Sequence, residues 1–135
     1  MSLTTLPYGK AITTTLPYPQ AVEHTKSLLK DEGFGVLCEI DVAATLKSKL
    51  DVEFRPYVIL GACNPQLARQ ALETEPQLGL LLPCNVVVSA EHGTTTVSAI
   101  DAAAMMSVVG NAALDSIATD VNARLGRVLE RVGKL

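Results

Sequence analysis

The sequence has no tryptophan and only five aromatic residues, three Tyr and two Phe, among its 135 positions. Its hydrophobic core must therefore consist of Leu, Val, Ile and Ala, which suits a sheet covered on more than one face. No stretch reaches the roughly 20 apolar residues that a membrane-spanning helix needs, because Pro83, Cys84 and Asn85 interrupt the longest run. The N-terminus has no charged segment followed by an apolar one. We expect neither a transmembrane helix nor a signal peptide.

Positive charge is also scarce. The chain has 11 Lys and Arg against 14 Asp and Glu, for a net charge of -3, and the basic residues are scattered along it. A nucleic-acid-binding protein needs a basic patch or domain, so no nucleic-acid partner is expected.

The three cysteines are an odd number at irregular spacing, without a Cys-x-x-Cys motif. This pattern favours free thiols in the reducing cytoplasm over a disulfide framework. The length suits a single domain, residues 1–135, which by size should bury roughly two-thirds of its unfolded surface.

Hydrophobic periodicity predicts five strands and five helices. The predicted strands are 9–15, 34–40, 57–62, 86–88 and 94–100. The predicted helices are 19–32, 42–50, 65 to about 75, a short Ala-rich helix after residue 101, and 111–131. Their order predicts an α+β sandwich, with a mainly antiparallel sheet and helices packed on one face. Several strands are apolar on both faces, so we expect a homodimer that buries the second face.

Two Cys-Asn pairs, Cys63-Asn64 and Cys84-Asn85, each lie at one end of an apolar run. If the two runs are neighbouring strands, the thiols and amides face one pocket. Cys63 also directly precedes Asn64-Pro65, the residue types that begin a helix, and a helix N-terminus lowers the pKa of a thiol that points at it.

Two carboxylates are further candidates. Alternation places Glu39 opposite Phe34, Val36, Cys38 and Ile40, where it would add a carboxylate to such a pocket. Asp101 is the natural N-cap of the next helix and is a candidate ligand-binding residue at low priority. Capping alone also accounts for Asp101, and a position at the rim accounts for Glu39.

Six segments of this chain resemble one known family. They are Gly33-Phe-Gly-Val-Leu-Cys-Glu39-Ile-Asp41, Arg55-Pro-Tyr57, Leu60-Gly-Ala-Cys-Asn-Pro65, Ala71-Leu72, Glu75-Pro76 and Gly79-Leu-Leu-Leu-Pro-Cys-Asn-Val86. The sequence resembles the bacterial and archaeal family called domain of unknown function 302 over roughly residues 9 to 133. The resemblance implies an α+β fold in the order strand, helix, four strands, helix, and it is compatible with a small homodimer. It implies no particular activity.

Three functions fit these observations. The first is a binding module whose pocket, lined by Cys63, Asn64, Cys84, Asn85 and Glu39, holds a small molecule or a soft metal bound by the two thiols. The second is a thiol-based redox enzyme or sensor that uses Cys63 and Cys84. The third is an interaction module without a site of its own. Standard phosphate-loop, dinucleotide, serine-triad and zinc-protease motifs are absent, so the sequence favours a protein that is not an enzyme and names no cofactor.

Overall fold

The computed structural model describes residues 3–135, and its centre is a six-stranded sheet. Every neighbouring pair of strands is antiparallel, and the strand order is β1-β2-β6-β5-β4-β3. The antiparallel sheet and the α+β class predicted from the sequence are confirmed. The strands are β1 (Leu3–Leu6), β2 (Gly9–Thr14), β3 (Gly35–Asp41), β4 (Tyr57–Cys63), β5 (Cys84–Glu91) and β6 (Thr94–Ile100).

Five α-helices and two 3₁₀ turns complete the fold. The two longest helices, α1 and α5, contact each other and pack on the middle of the sheet, and α3 and α4 pack against α5. The helices are α1 (Tyr18–Asp31), α2 (Val42–Leu50), α3 (Pro65–Thr74), α4 (Ala102–Ser107) and α5 (Asp115–Val132), and the 3₁₀ turns are Pro76–Leu81 and Ala112–Leu114. Among the described residues, no helix combines the length and the apolar character that crossing a membrane requires.

The core lies between the sheet and these helices. Alternate residues of the central strands point into it, because successive side chains of a strand face opposite sides of the sheet. These buried residues include Val58, Leu60, Ala62, Val86, Val88, Val97 and Ala99. Helix α5 completes the core with a buried stripe at helical spacing that includes Val121, Leu125, Val128 and Val132.

Side-chain caps begin three of the five helices. The carboxylate of Asp41 accepts a hydrogen bond from the backbone N–H of Ala44 at the start of α2. The same N-cap geometry begins α3 at Asn64 and α4 at Asp101, as the sequence predicts.

Four elements differ from the sequence prediction. Strand β5 runs over Cys84–Glu91, whereas only residues 86–88 were predicted as a strand. Strand β1 was not predicted, because its four residues have too little apolar pattern to show as a strand. A β-bulge at Leu37 breaks the alternation of β3, so the predicted grouping of Val36 with Cys38 and Ile40 is wrong. Val36 and Glu39 face the helices, whereas Cys38 and Ile40 face the opposite side. The long C-terminal helix begins at Asp115, after a 3₁₀ turn, instead of at residue 111.

Candidate functional site

A cavity of about 300 Å³ opens beside the ends of β3, β4 and β5, beneath α3 and against α5. Its volume lies at the lower end of the range for small-molecule pockets. The wall is overwhelmingly apolar. It includes Phe34, Leu67, Leu82, Met106, Ile117 and Val121.

The antiparallel register brings Cys63 and Cys84 to this cavity. Strand β4 ends where β5 begins, and Ala62 pairs directly with Cys84. Cys63 is the next residue after Ala62, so both cysteines lie at the same end of the β4–β5 pair. Both line the cavity. Asn64 follows Cys63 and also lines it. The structure therefore gathers three of the six predicted site residues in one place.

The two thiols are held in their neutral form. Burial raises the pKa of Cys63. Burial also raises the pKa of Cys84, to about 11, and the nearby Cys63 contributes to the increase. Loss of water around a sulfur disfavours its charged form, so the lowered pKa predicted from the helix N-terminus is not found for Cys63. Near neutral pH both groups are thiols, which are weak nucleophiles.

The side chain of Asn64 has a structural role at the start of α3. Its side-chain oxygen accepts a hydrogen bond from Leu67 N–H at 3.1 Å. Its amide nitrogen lies against Gly33, where an added Cβ would come within 2.9 Å of it. Asn85 is exposed and pairs with Gly61 on the sheet face away from the core, so the structure does not bring it to the cavity.

The two carboxylate candidates lie elsewhere. Glu39 forms an ion pair with Lys26 of α1 at the edge of the sheet. Asp101 caps α4 and lies beside a much smaller pocket of about 70 Å³ with Lys10 and Asn122. Hydrogen bonds from Asn122 and from Ala104 N–H lower the pKa of Asp101. Both carboxylates thus have protein partners away from the two thiols.

Most of the lining residues were not predicted as part of a site, and two of them, Leu37 and Met106, show why. Leu37 reaches the cavity from the bulge in β3. The bulge arises from the pairing of β3 with β4, and local sequence does not predict that pairing. Met106 lines it from α4 while remaining 5% exposed. The sequence favours Met106 as a core residue, and in the structure it borders the cavity as well as packing in the core. Within residues 3–135, no three His, Cys, Asp or Glu side chains come together as a metal site.

Comparison with known proteins identifies the family. The profile of the family described as domain of unknown function DUF302 matches residues 10–132. The chain belongs to this family. A crystal structure of an uncharacterized conserved DUF302 protein from Bacillus stearothermophilus is 34% identical in sequence and superimposes with a TM-score of 0.85. The match covers 90% of this chain and 95% of that one. No curated protein matches the sequence. The DUF302 fold is thus established here, and a function must be argued from the cavity.

Proposed function

We infer that this DUF302 protein binds a small, uncharged, apolar molecule in the cavity beneath α3. The observation that carries the proposal is the cavity of about 300 Å³ lined by apolar side chains. An apolar guest gains favourable free energy by leaving water for such a space. A charged ligand would find no group of opposite charge among the residues that line this cavity.

The thiols fit this role. Neutral Cys63 and Cys84 behave as small apolar groups with weak polarity, so they add polarizable surface to the wall without demanding a polar partner. Their raised pKa values also disfavour the thiol-enzyme alternative, which needs a thiolate near neutral pH. Three free thiols support a working location in the reducing cytoplasm.

A soft metal ion such as Cu(I) is a second candidate ligand. Both cysteines line the cavity, and Ala62, the residue before Cys63, pairs with Cys84 across β4 and β5, which supports a pair of neighbouring sulfurs. Met106 lines the same cavity and carries a thioether that binds soft metals without losing a proton. Against this candidate, both cysteines must be deprotonated at a cost that burial increases.

The test uses the uncharged fluorescent probe N-phenyl-1-naphthylamine. We expect its fluorescence to rise on binding, with a dissociation constant on the order of 10 μM. Ala68 lines the cavity from α3, so Ala68→Phe should fill the space and weaken binding at least about tenfold. Gln70 is exposed on the same helix, and Gln70→Phe is the matched control that should bind the probe as the native protein does.

Two results would contradict the proposal. One is an absence of saturable probe binding to the native protein. The other is equal binding by the native and Ala68→Phe proteins when circular dichroism shows both to be folded. Cu(I) titration against a competing chelator tests the second candidate, with Cys63→Ser and Cys84→Ser each expected to abolish tight binding.

A further inference from the structure

The face of the sheet that points away from α1 and α5 carries almost no charge. The register places Ile40, Ile59, Val87, Ser98 and Ala11 in one row across five strands. The next row contains Tyr57, Ser89, Thr96 and Thr13. Of the described strand residues at positions on this face, only Glu91 is charged, and it lies at the hairpin end, paired with Arg55.

Such a composition is unusual for a sheet face in contact with water. An antiparallel sheet with one solvated face normally alternates apolar residues inside with polar and charged residues outside. Here the outward positions of the central strands combine Ile59 and Val87 with uncharged polar residues such as Ser89, Thr96 and Ser98, and the one carboxylate, Glu91, lies at the hairpin end. The charged residues Asp, Glu, Lys and Arg, which are mostly exposed in proteins, occur only at the margin of this sheet face.

The face is comparable in size to the smaller protein–protein interfaces. Six strands spaced roughly 4.8 Å apart and about 20 Å long give a flat projection of roughly 500 Å². The accessible area of side chains on such a plane exceeds the projection, and a standard interface buries about 800 Å² per partner. Ile40, in the outward row at the β3 edge, is 48% exposed and adds apolar surface to the face.

We propose that a second copy of this chain covers this uncharged face, so that two sheets pack face to face about a two-fold axis. Two-fold symmetry places each residue near the axis opposite its own copy, and a charge there would meet a like charge. The uncharged rows avoid this repulsion. Short Ser, Thr, Ala and Val side chains also suit sheets that pack at about 10 Å. The proposed interface centres on the middle of the sheet, whereas the apolar cavity opens at the ends of β3, β4 and β5 beneath α3.

Sedimentation of the full chain at micromolar concentration tests the proposal. We expect a species of twice the 14.3 kDa chain mass. Ser98 lies in the middle of the uncharged face, so Ser98→Lys should raise the dimer dissociation constant at least about 100-fold while the monomer stays folded. Gln70→Lys adds the same charge to exposed α3 and should leave the dimer intact. A native monomer, or a Ser98→Lys dimer as tight as the native one, overturns the proposal.

A second measurement on the native protein guards against misfolding of the variant. A soluble paramagnetic probe broadens the NMR signals of methyl groups that it can reach. We expect the methyls of Val87 and Ile59 to be protected from it, while that of exposed Leu80 is broadened. Broadening of Val87 and Ile59 to the same extent as Leu80 would show the face open to solvent and would overturn the proposal.

Discussion

Asn122 on α5 binds both the cap and the first backbone amide of α4. Its amide nitrogen donates a hydrogen bond of 2.9 Å to the carboxylate of Asp101. Its side-chain oxygen accepts one of 2.7 Å from Ala102 N–H. One side chain thereby fixes a short helix to a long one, and Asp101 has a structural role that its position before α4 only partly indicates.

Asp101→Ala should lower the free energy of unfolding by about 1–2 kcal/mol, because it removes an N-cap and leaves Asn122 without its acceptor. Urea denaturation near neutral pH measures the loss. Asp41→Ala removes a comparable but exposed cap at α2 and should cost less. Equal losses for the two variants would show that the bond to Asn122 adds nothing.

Glu32 should make the protein sensitive to acid. Arg127 donates to its carboxylate from two nitrogens, at 3.1 Å and 2.9 Å, and lowers its pKa. A carboxyl whose pKa is lower in the folded state adds stability above its unfolded pKa, and this stability is lost as the pH falls through the folded value. The melting temperature of Glu32→Gln should therefore lie below that of the native protein at neutral pH and converge with it in acid, once Glu32 is protonated in the folded state.

Glu73→Gln is the control for this pH series. It removes an exposed ion pair with Arg69 within α3 and should leave the curve unchanged, because exposed pairs of this kind contribute little. Curves for the native protein and Glu32→Gln that run parallel down to acid pH would contradict the role of Glu32.

The three cysteines should react with iodoacetamide in a fixed order. Cys38 is exposed, Cys63 is partly buried and Cys84 is buried. Burial also raises the pKa of Cys63 and Cys84, which reduces their thiolate fraction. Peptide mass spectrometry of the Ser98→Lys variant near neutral pH, in which the outward sheet face is uncovered, should show Cys38 labelled first, and Cys84 only after unfolding. Cys38→Ser should remove the fast phase, whereas faster labelling of Cys63 would favour the thiol-enzyme alternative.

Replacing each of two glycines by alanine should change the stability of the fold in opposite directions. Gly33 has a φ of +86°, and a Cβ there would press on Asn64 and Arg124, so Gly33→Ala should destabilise the fold by about 1–3 kcal/mol. Gly126 lies within α5 with open space around its Cα, so Gly126→Ala should stabilise it by about 0.5–1 kcal/mol. Thermal unfolding measures both, and a shift of the same sign in both would contradict this interpretation.

Local chemistry in the sequence predicts much of this fold. The caps at Asp41, Asn64 and Asp101 follow from residue type and the apolar pattern after it. The hairpin turn at His92-Gly93, with φ values of 53° and 78°, follows from the turn residues between two strands.

The features that sequence does not predict depend on distant residues. The bulge at Leu37 exists only in the pairing of β3 with β4, and it decides that Cys38 faces away from the core. The cavity combines residues from β3 through α5, so its volume follows from packing that no local pattern specifies. The Cys-Asn pattern indicates where Cys63 and Cys84 lie but not that Asn85 points elsewhere.

The hairpin of β5 and β6 lies in the middle of the sheet, and this has a consequence for synthesis on the ribosome. Strand β2 has no partner on its inner side until β6 exists, since Ile12 pairs with Val97. At roughly 5–20 residues per second, the intervening segment takes on the order of 10 s to emerge. Throughout that interval β2 exposes an unpaired backbone edge. Because the strand contains two threonines and few large aliphatic residues, it is less prone to aggregate than a fully aliphatic strand would be.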